Sequence, residues 1–419
     1  MFSLSLWRDI LTSVGSSIGA LIILRTLDVP PELSDQIIAH LNGDTSALSA
    51  CGLVCRNWLP AVRHHRFDSV VLQYPEVEDF LHLLDQSPEI GRFVTSLSCR
   101  SKRLSWTRRG ITSKVVRDLS CIVEKLTYIT KLGLCGFIAS EATLREPLAR
   151  FSVVLSNSSV KALHFTTCNA SFGFLSILVA SCPLLETLVI EMASIRLSKR
   201  DNMMVSNRRH LQSLSLTQMT NTNPAGFLDW ITGDLADFRL PNLSIGVWDA
   251  NDAPLAAAAL QRFNHSMSEF HLTVNADASL PQLFGNVDLE LEKCQQLQHC
   301  RLTFHLREMF VAENQSLPWI HDLIARLSSP VLETIEISVF ADPMTDLRAL
   351  DSECGTRSLD KVSFDAMDAL DWRRLECIFT SSILGSLRKV VLVGQGDPSG
   401  MRTFLAESHP ALQCIIHFR

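Results

Sequence analysis

One short pattern recurs along most of this chain: an apolar residue, two free positions, a second apolar residue, one free position and a third. It begins at Phe67, Val70 and Leu72 and returns at Val94-Leu97-Cys99, Ile129-Leu132-Leu134 and Val160-Leu163-Phe165. It continues at Leu185-Leu188-Ile190, Leu211-Leu214-Leu216, Leu240-Leu243-Ile245, Met267-Phe270-Leu272 and Leu297-Cys300-Leu302. Further copies are Leu332-Ile335-Ile337, Leu359-Val362-Phe364 and Leu387-Val390-Leu392, with a weaker last one at Leu412-Ile415. The middle residues of these 13 copies lie 25–35 residues apart, and no copy is skipped. The closing pair, such as Leu214 and Leu216, puts two side chains on one face of a short strand, and the leading residue turns the chain into it. Helical spacing lies between the strands: Val77, Phe80, Leu81 and Leu84 share one helix face, and Phe174–Ala180, Phe227–Leu235 and Trp319–Leu327 read similarly. Cys182-Pro183 and Ser329-Pro330 stop helices before the next strand, because proline cannot continue the helical ladder. A unit of one strand and one helix cannot bury its apolar face alone, so the units must stack. The expected fold class is an α/β repeat over residues 68–419; an ordinary α/β domain with a parallel sheet shares the alternation and is the competing reading.

The stretch before the repeat reads differently. Pro30 and Pro31 can open a helix where amide donors are not needed. Leu33, Ile37 and Leu41 fall at i, i+4 and i+8, with Ile38 beside them. Asn42-Gly43-Asp44-Thr45 ends that helix and offers caps for another. Leu48, Cys51, Cys55 and Trp58 form a second stripe. The expectation is a helical hairpin over 27–67, preceded by an extension at 1–26. Its apolar surface is more than about forty residues can bury internally, which asks for a neighbour.

Composition adds bounds. A chain of 419 residues exceeds a single core and demands several domains or a repeat array. The net charge of -6 gives no overall footprint for nucleic acid. Ile10–Leu24 is apolar but shorter than the roughly 20 residues a spanning helix needs, and is read as soluble extension rather than anchor. The 12 cysteines keep no disulfide rhythm, which suits reduced thiols in the cytoplasm or nucleus. Cys294, His299, Cys300 and His305 could be grouped as zinc ligands, but paired ligand halves are missing and Cys300 belongs to the repeat. Asn157, Asn169, Asn242, Asn264 and Asn314 head glycosylation tripeptides that mean little without a secretory route. Gly394 and Gly396 follow a strand but lack the third glycine and helix start of a dinucleotide loop. No nucleophile elbow, metalloprotease helix or phosphate loop occurs, so the expectation is a non-enzyme without cofactor or metal. Arg100, Lys102, Arg103, Arg108 and Arg109 cluster around Trp106, a mix that could grip an acidic or phosphorylated peptide; a solvated loop is the plainer reading.

The residues of 27–67 resemble the F-box family. Its opening pattern is matched by Val29-Pro30-Pro31-Glu32-Leu33, its next aliphatic positions by Ile37 and Leu41, and its later signature by Val54-Cys55-Arg56-Asn57-Trp58, with Phe67 closing. The repeat resembles leucine-rich repeats, although the polar ladder position holds Cys168 and Asn275 only, with Phe137, Ala193, Met219, Trp248, His305, Phe340, Met367 or Gln395 elsewhere. The resemblance implies a short N-terminal F-box followed by an irregular leucine-rich-repeat solenoid. It implies a substrate receptor of a cullin–RING ubiquitin ligase, docking on the ligase's adaptor subunit and holding a protein target with its repeats. A scaffold without ligase duty is the alternative. By position, Pro30, Pro31, Leu33, Ile37, Leu41, Leu53, Val54 and Trp58 are the expected adaptor contacts or their support, and Leu48, Cys51 and Cys55 the expected hairpin core.

Overall fold

A computed structural model of the chain describes residues 30–101, 111–139, 141–196, 211–219, 224–232, 239–248, 252–276, 289–307, 318–342, 370–394 and 398–419. It divides into two compact units, Met1–Val70 and Val71–Arg419. The extension at 1–26, five of the six residues in the basic cluster (Lys102, Arg103, Trp106, Arg108 and Arg109) and the repeat copy at Leu359-Val362-Phe364 lie outside the described residues.

The described residues of the first unit form three helices, α1 (Pro31–His40), α2 (Thr45–Gly52) and α3 (Leu59–Phe67). The expected hairpin is thus corrected. Gly52 is a poor helix former, and Pro60 in the first turn of α3 favours a fresh start there, so the stripe from Leu48 to Trp58 is split by a turn.

The rest is mixed α/β. Its strands are β1 (Ser69–Gln73), β2 (Ser96–Arg100), β3 (Lys131–Cys135), β4 (Ile138–Ala139), β5 (Ala162–Thr166), β6 (Asn169–Ser171), β7 (Thr187–Glu191), β8 (Ser194–Arg196) and β9 (Ser213–Thr217). They continue as β10 (Asn242–Val247), β11 (Glu269–Ala276), β12 (His299–Arg307), β13 (Thr334–Asp342), β14 (Lys389–Val393) and β15 (Ile416–Phe418). Twelve form one sheet in chain order, leaving out only β4, β6 and β8, which make a second, three-stranded sheet. The strands from β2 to β15 pair in parallel within each sheet, and the arrangement is compatible with a repeat solenoid. The helices between strands are α4 (Glu76–Gln86), α5 (Ser113–Lys125), α6 (Glu141–Ser156), α7 (Phe172–Ala180), α8 (Pro224–Thr232), α9 (Ala253–Phe263), α10 (Pro318–Ala325), α11 (Trp372–Phe379) and α12 (Ser399–Ser408).

The spacing read from the sequence is the register of the sheet. Leu97, Leu132, Leu163, Leu188, Leu214, Leu243, Phe270, Cys300, Ile335 and Val390 are successive pairing partners. Two details differ. Val390 pairs with Ile416 rather than Ile415, because the weak last copy lacks a third apolar residue to fix its phase. And β13 pairs directly with β14, across the step in which a further strand was expected.

A backbone device repeats at the entrance to most strands of the long sheet. The Thr95 carbonyl accepts the amides of Thr130 (2.8 Å) and Lys131 (3.1 Å), and Thr130, Lys161, Glu186, Ser268, Gln298 and Glu333 do the same for the next unit. At the exits, Gly136, Thr167, Met192 and Gln218 all adopt positive φ, between 49° and 67°. Three of them donate their amides to the neighbouring exit carbonyl: Gly136 to Thr166 (2.9 Å), Thr167 to Glu191 (2.9 Å) and Met192 to Thr217 (2.8 Å). The left-handed kink redirects the chain into β4, β6 and β8. Loop amides are therefore satisfied by backbone, which removes the need for an asparagine ladder. The ladder position is free to be apolar, and Phe137, Ala193 and Met219 are buried there; Cys168 plays a polar part, its Sγ within reach of the carbonyls of Leu134 and Thr166.

The Thr217 side chain leaves no room for a side chain at Gly246. A Cβ there would stand 2.4 Å from Thr217 Cγ2, a stiff β-branched side chain. Gly246→Ala should lower stability by about 1–3 kcal/mol. Gly400, in the first turn of α12 with nothing within 4 Å, should gain about 0.5 kcal/mol as alanine. Urea midpoints of the two variants check this; a shift of the same sign in both would contradict the packing at Gly246.

Candidate functional site

The helical unit keeps little inside. Ile38, Leu48, Cys51 and Val62 form its core, with Leu41, Trp58 and Ala61 packed against it. On α1 the inward positions are Ser34 and Ile38, so the Leu33–Ile37–Leu41 row sits on the shoulder of the helix. Leu33 is 50% exposed, Leu53 88% and Val54 44%. Ile37 and Leu41 are half-buried, and Pro30 is exposed. The termini are well made locally. Pro30 and Pro31 open α1, with the Pro30 carbonyl accepting the amides of Leu33 and Ser34; Asp44 caps α2 by accepting from Ser46 and Ala47 (3.1 and 2.9 Å). One expectation changes. Cys55 is exposed in the turn, not in the core, because α2 ends three residues before it. Trp58 is partly buried and packs against the core.

The second candidate surface is one face of the twelve-stranded sheet. Residues of the closing pairs point into the core, and those between and beside them form the opposite face, in columns with one residue per strand. From β10 to β15 this face carries two polar clusters, one around His271 and one around Glu336. His271 Nδ1 lies 3.4 Å from Ser244 Oγ, and its Nε2 lies 3.1 Å from Thr303 Oγ1 and 3.3 Å from Thr273 Oγ1. Glu336 stands between two guanidiniums: Arg301 Nε at 2.7 Å and Arg419 Nη2 at 2.9 Å from Oε1, with Arg301 Nη2 at 3.4 Å from Oε2. Burial, with Arg301 adding to it, lowers the His271 pKa to about 4, so this imidazole is neutral at pH 7. None of these residues was singled out from sequence. Their signal was positional: Ser244, His271, Arg301 and Glu336 all follow the middle apolar residue of a repeat copy by one.

Arg100 ends β2, and its carbonyl accepts the Tyr74 amide (3.0 Å); it is the one described member of the basic cluster. Among the described residues, Cys294, His299, Cys300 and His305 form no cluster of potential metal ligands. Cys294 and Cys300 are buried thiols, Cys294 raised to about 12 by burial, His305 stacks on Trp248, and no group of metal-ligating side chains occurs among the described residues. No described helix is long and apolar enough to cross a membrane.

No family model matches the chain, and no curated protein matches it. Among solved structures, a crystal structure of the Rad7 and Elc1 complex in yeast is similar over 83% of this chain and 97% of that one, with 13% identity and a TM-score of 0.28. A likeness at that level supports no inference about this chain.

Leu33→Asp and Leu53→Asp should leave the helical unit folded, within about 0.5 kcal/mol of the parent, whereas Leu48→Ala should cost about 2–5 kcal/mol. Thermal melts by circular dichroism distinguish these, and unfolding by either surface variant would place those leucines in the core. The His271 pKa also predicts a pH effect. Its folded value of about 4 lies below the ordinary 6.5, so between the two the unfolded chain binds a proton that the folded chain does not. Stability should therefore fall as pH drops through this window, on the order of 3 kcal/mol from His271. His271→Gln should flatten that part of the urea-midpoint curve; an unchanged slope assigns it to other groups.

Proposed function

We propose that this chain is a non-enzymatic receptor: an F-box adaptor-docking unit at 27–67, followed by an irregular leucine-rich-repeat solenoid that holds a protein target for a cullin–RING ubiquitin ligase. The observation that carries the reading is the exposure of Leu33, Leu53 and Val54 on a unit with a core of four residues. Leu33 and Val54 belong to the two motifs that resemble the F-box family, and Leu53 adjoins the second. Fully burying a leucine side chain is worth about 1.5–3 kcal/mol, so these side chains are a reason for the unit to have a partner. The repeat region supports the second half of the reading: its apolar residues are spent on stacking, and its polar sheet face is left to carry specificity. The receptor contributes proximity, holding the target beside the ligase's charged ubiquitin carrier while chemistry occurs elsewhere. Such a protein would work in the cytoplasm or nucleus.

The test is capture of the purified adaptor subunit by the full chain. Leu33→Asp combined with Leu53→Asp should weaken capture at least about tenfold while the melt is unchanged. Both positions are preferable to Trp58, whose loss would also damage the core. No capture by the parent chain, or equal capture by the double variant, would sink the reading.

A further inference from the structure

We propose that the apolar segment Ile10–Leu24 is the resting occupant of Leu33, Leu53 and Val54, covering the docking side chains of its own unit until an adaptor displaces it. The proposal names the regulation of that same surface, and it rests on the receptor reading for the identity of the displacing partner.

Two unmatched apolar surfaces lie within one short stretch of chain. The first is described: Leu33 is 50% exposed, Leu53 88% and Val54 44%, and none of them belongs to the core of Ile38, Leu48, Cys51 and Val62. The second is read from the sequence, in residues that lie outside the described ones. No charged residue occurs from Ile10 to Leu24, between Asp9 and Arg25. Trp7, Ile10, Val14, Ile18 and Leu21 recur at helical spacing, whereas Thr12, Ser13, Ser16, Gly19 and Ala20 fall on the opposite side, with Ile23 the apolar exception among them. That is the pattern of an element with one apolar side to bury. Its 15 residues are fewer than the roughly 20 that would carry it across a bilayer.

The tether selects the occupant. Only residues 25–29 separate the segment from Pro30, and Leu33 follows in the first turn of α1. Extended, that connection reaches about 20 Å. It exceeds the roughly 15 Å length of a ten-residue helix such as α1, so the segment can return to its own unit. A tether of this length gives an effective concentration on the order of millimolar, and a second copy would need a concentration of the same order to compete. A cover with an untethered affinity of only ~0.1 mM would then be closed about ten times as often as open, and would weaken adaptor binding about tenfold. Covering also keeps three apolar side chains from water while no adaptor is bound. The exposed apolar residues of the repeat region make no comparable set: Tyr128, Val153, Leu184 and Ile383 are scattered along the chain, the ordinary condition of a protein surface.

A benzophenone amino acid installed in place of Leu53 in the full chain tests the contact directly. Irradiation should join it to residues 7–24 of the same chain, and Val14→Asp combined with Ile18→Asp should reduce that link at least about tenfold. Links to other parts of the chain, or between two chains, overturn the proposal. In adaptor capture, the same double variant on the parent background should bind about tenfold more tightly than the parent, the reverse of Leu33→Asp with Leu53→Asp. Ser16→Asp, opposite the apolar row, should match the parent. Damage to the fold lowers capture, so a gain cannot come from unfolding. Equal capture by the parent and by the Val14→Asp, Ile18→Asp chain refutes the cover and leaves the receptor reading standing. An intrachain link with no capture by either chain refutes the receptor reading and leaves the occupant in place.

Discussion

The repeat region depends on one bond pattern, in which a strand-entry carbonyl accepts two amides from the following unit at most steps. The series runs from Thr95 through Thr130, Lys161 and Glu186, then on past Ser268, Gln298 and Glu333. Each step locks the next strand in phase, and a slip of one residue would turn every buried side chain of that strand toward the other face. The pattern also absorbs an exception. Pro241 has no amide, so the Gln212 carbonyl accepts from Asn242 alone; the Pro241 carbonyl still takes the amides of Ser268 and Glu269, with Ser268 Oγ at 3.2 Å.

With phase held by backbone, side chains are released from that duty. One face of each strand fills the core, and the other is constrained only where a glycine must let neighbours close in, as at Gly246 beside Thr217. This is why chemically unlike residues follow one another down a column: Ser244, His271, Arg301 and Glu336 share a register but no residue type. The arrangement lets a face change its charge and hydrogen-bonding character without disturbing the fold beneath it. Glu336 shows the limit of that freedom. A carboxylate this buried needs compensation, and it draws Arg301 from β12 and Arg419 from beyond β15.

The parts of this structure that could be read from the sequence are those governed by period. Apolar triplets at 25–35 residue steps translated into ten in-register positions, since buried alternation is the strongest local signal a strand carries. The phase was lost at Ile415 and Ile416, where two adjacent aliphatics make both registers plausible. What periodicity could not convey was backbone handedness. Thr167, Met192 and Gln218 give no residue-type hint of positive φ, unlike Gly136, and the three-stranded sheet that follows those kinks went unforeseen. Nor did a pattern of types mark the His271 network, because its members are joined by register rather than by motif.

In the helical unit the same contrast appears on a smaller scale. The stripe of α1 was legible, but helical spacing alone does not say which edge of a stripe turns inward. Ile38 rather than Leu33 or Ile37 took the core position, because Ile38 and the half-buried Leu41, three residues apart, face the Leu48, Cys51 and Val62 that α2 and α3 offer. Leu33 is left on the shoulder by that choice, and Leu53 and Val54 are left out by the turn that follows α2. Their exposure is a consequence of how three short helices close on a four-residue core. Among the described residues of this unit no further element covers them, so these apolar residues are the ones it offers to a neighbour.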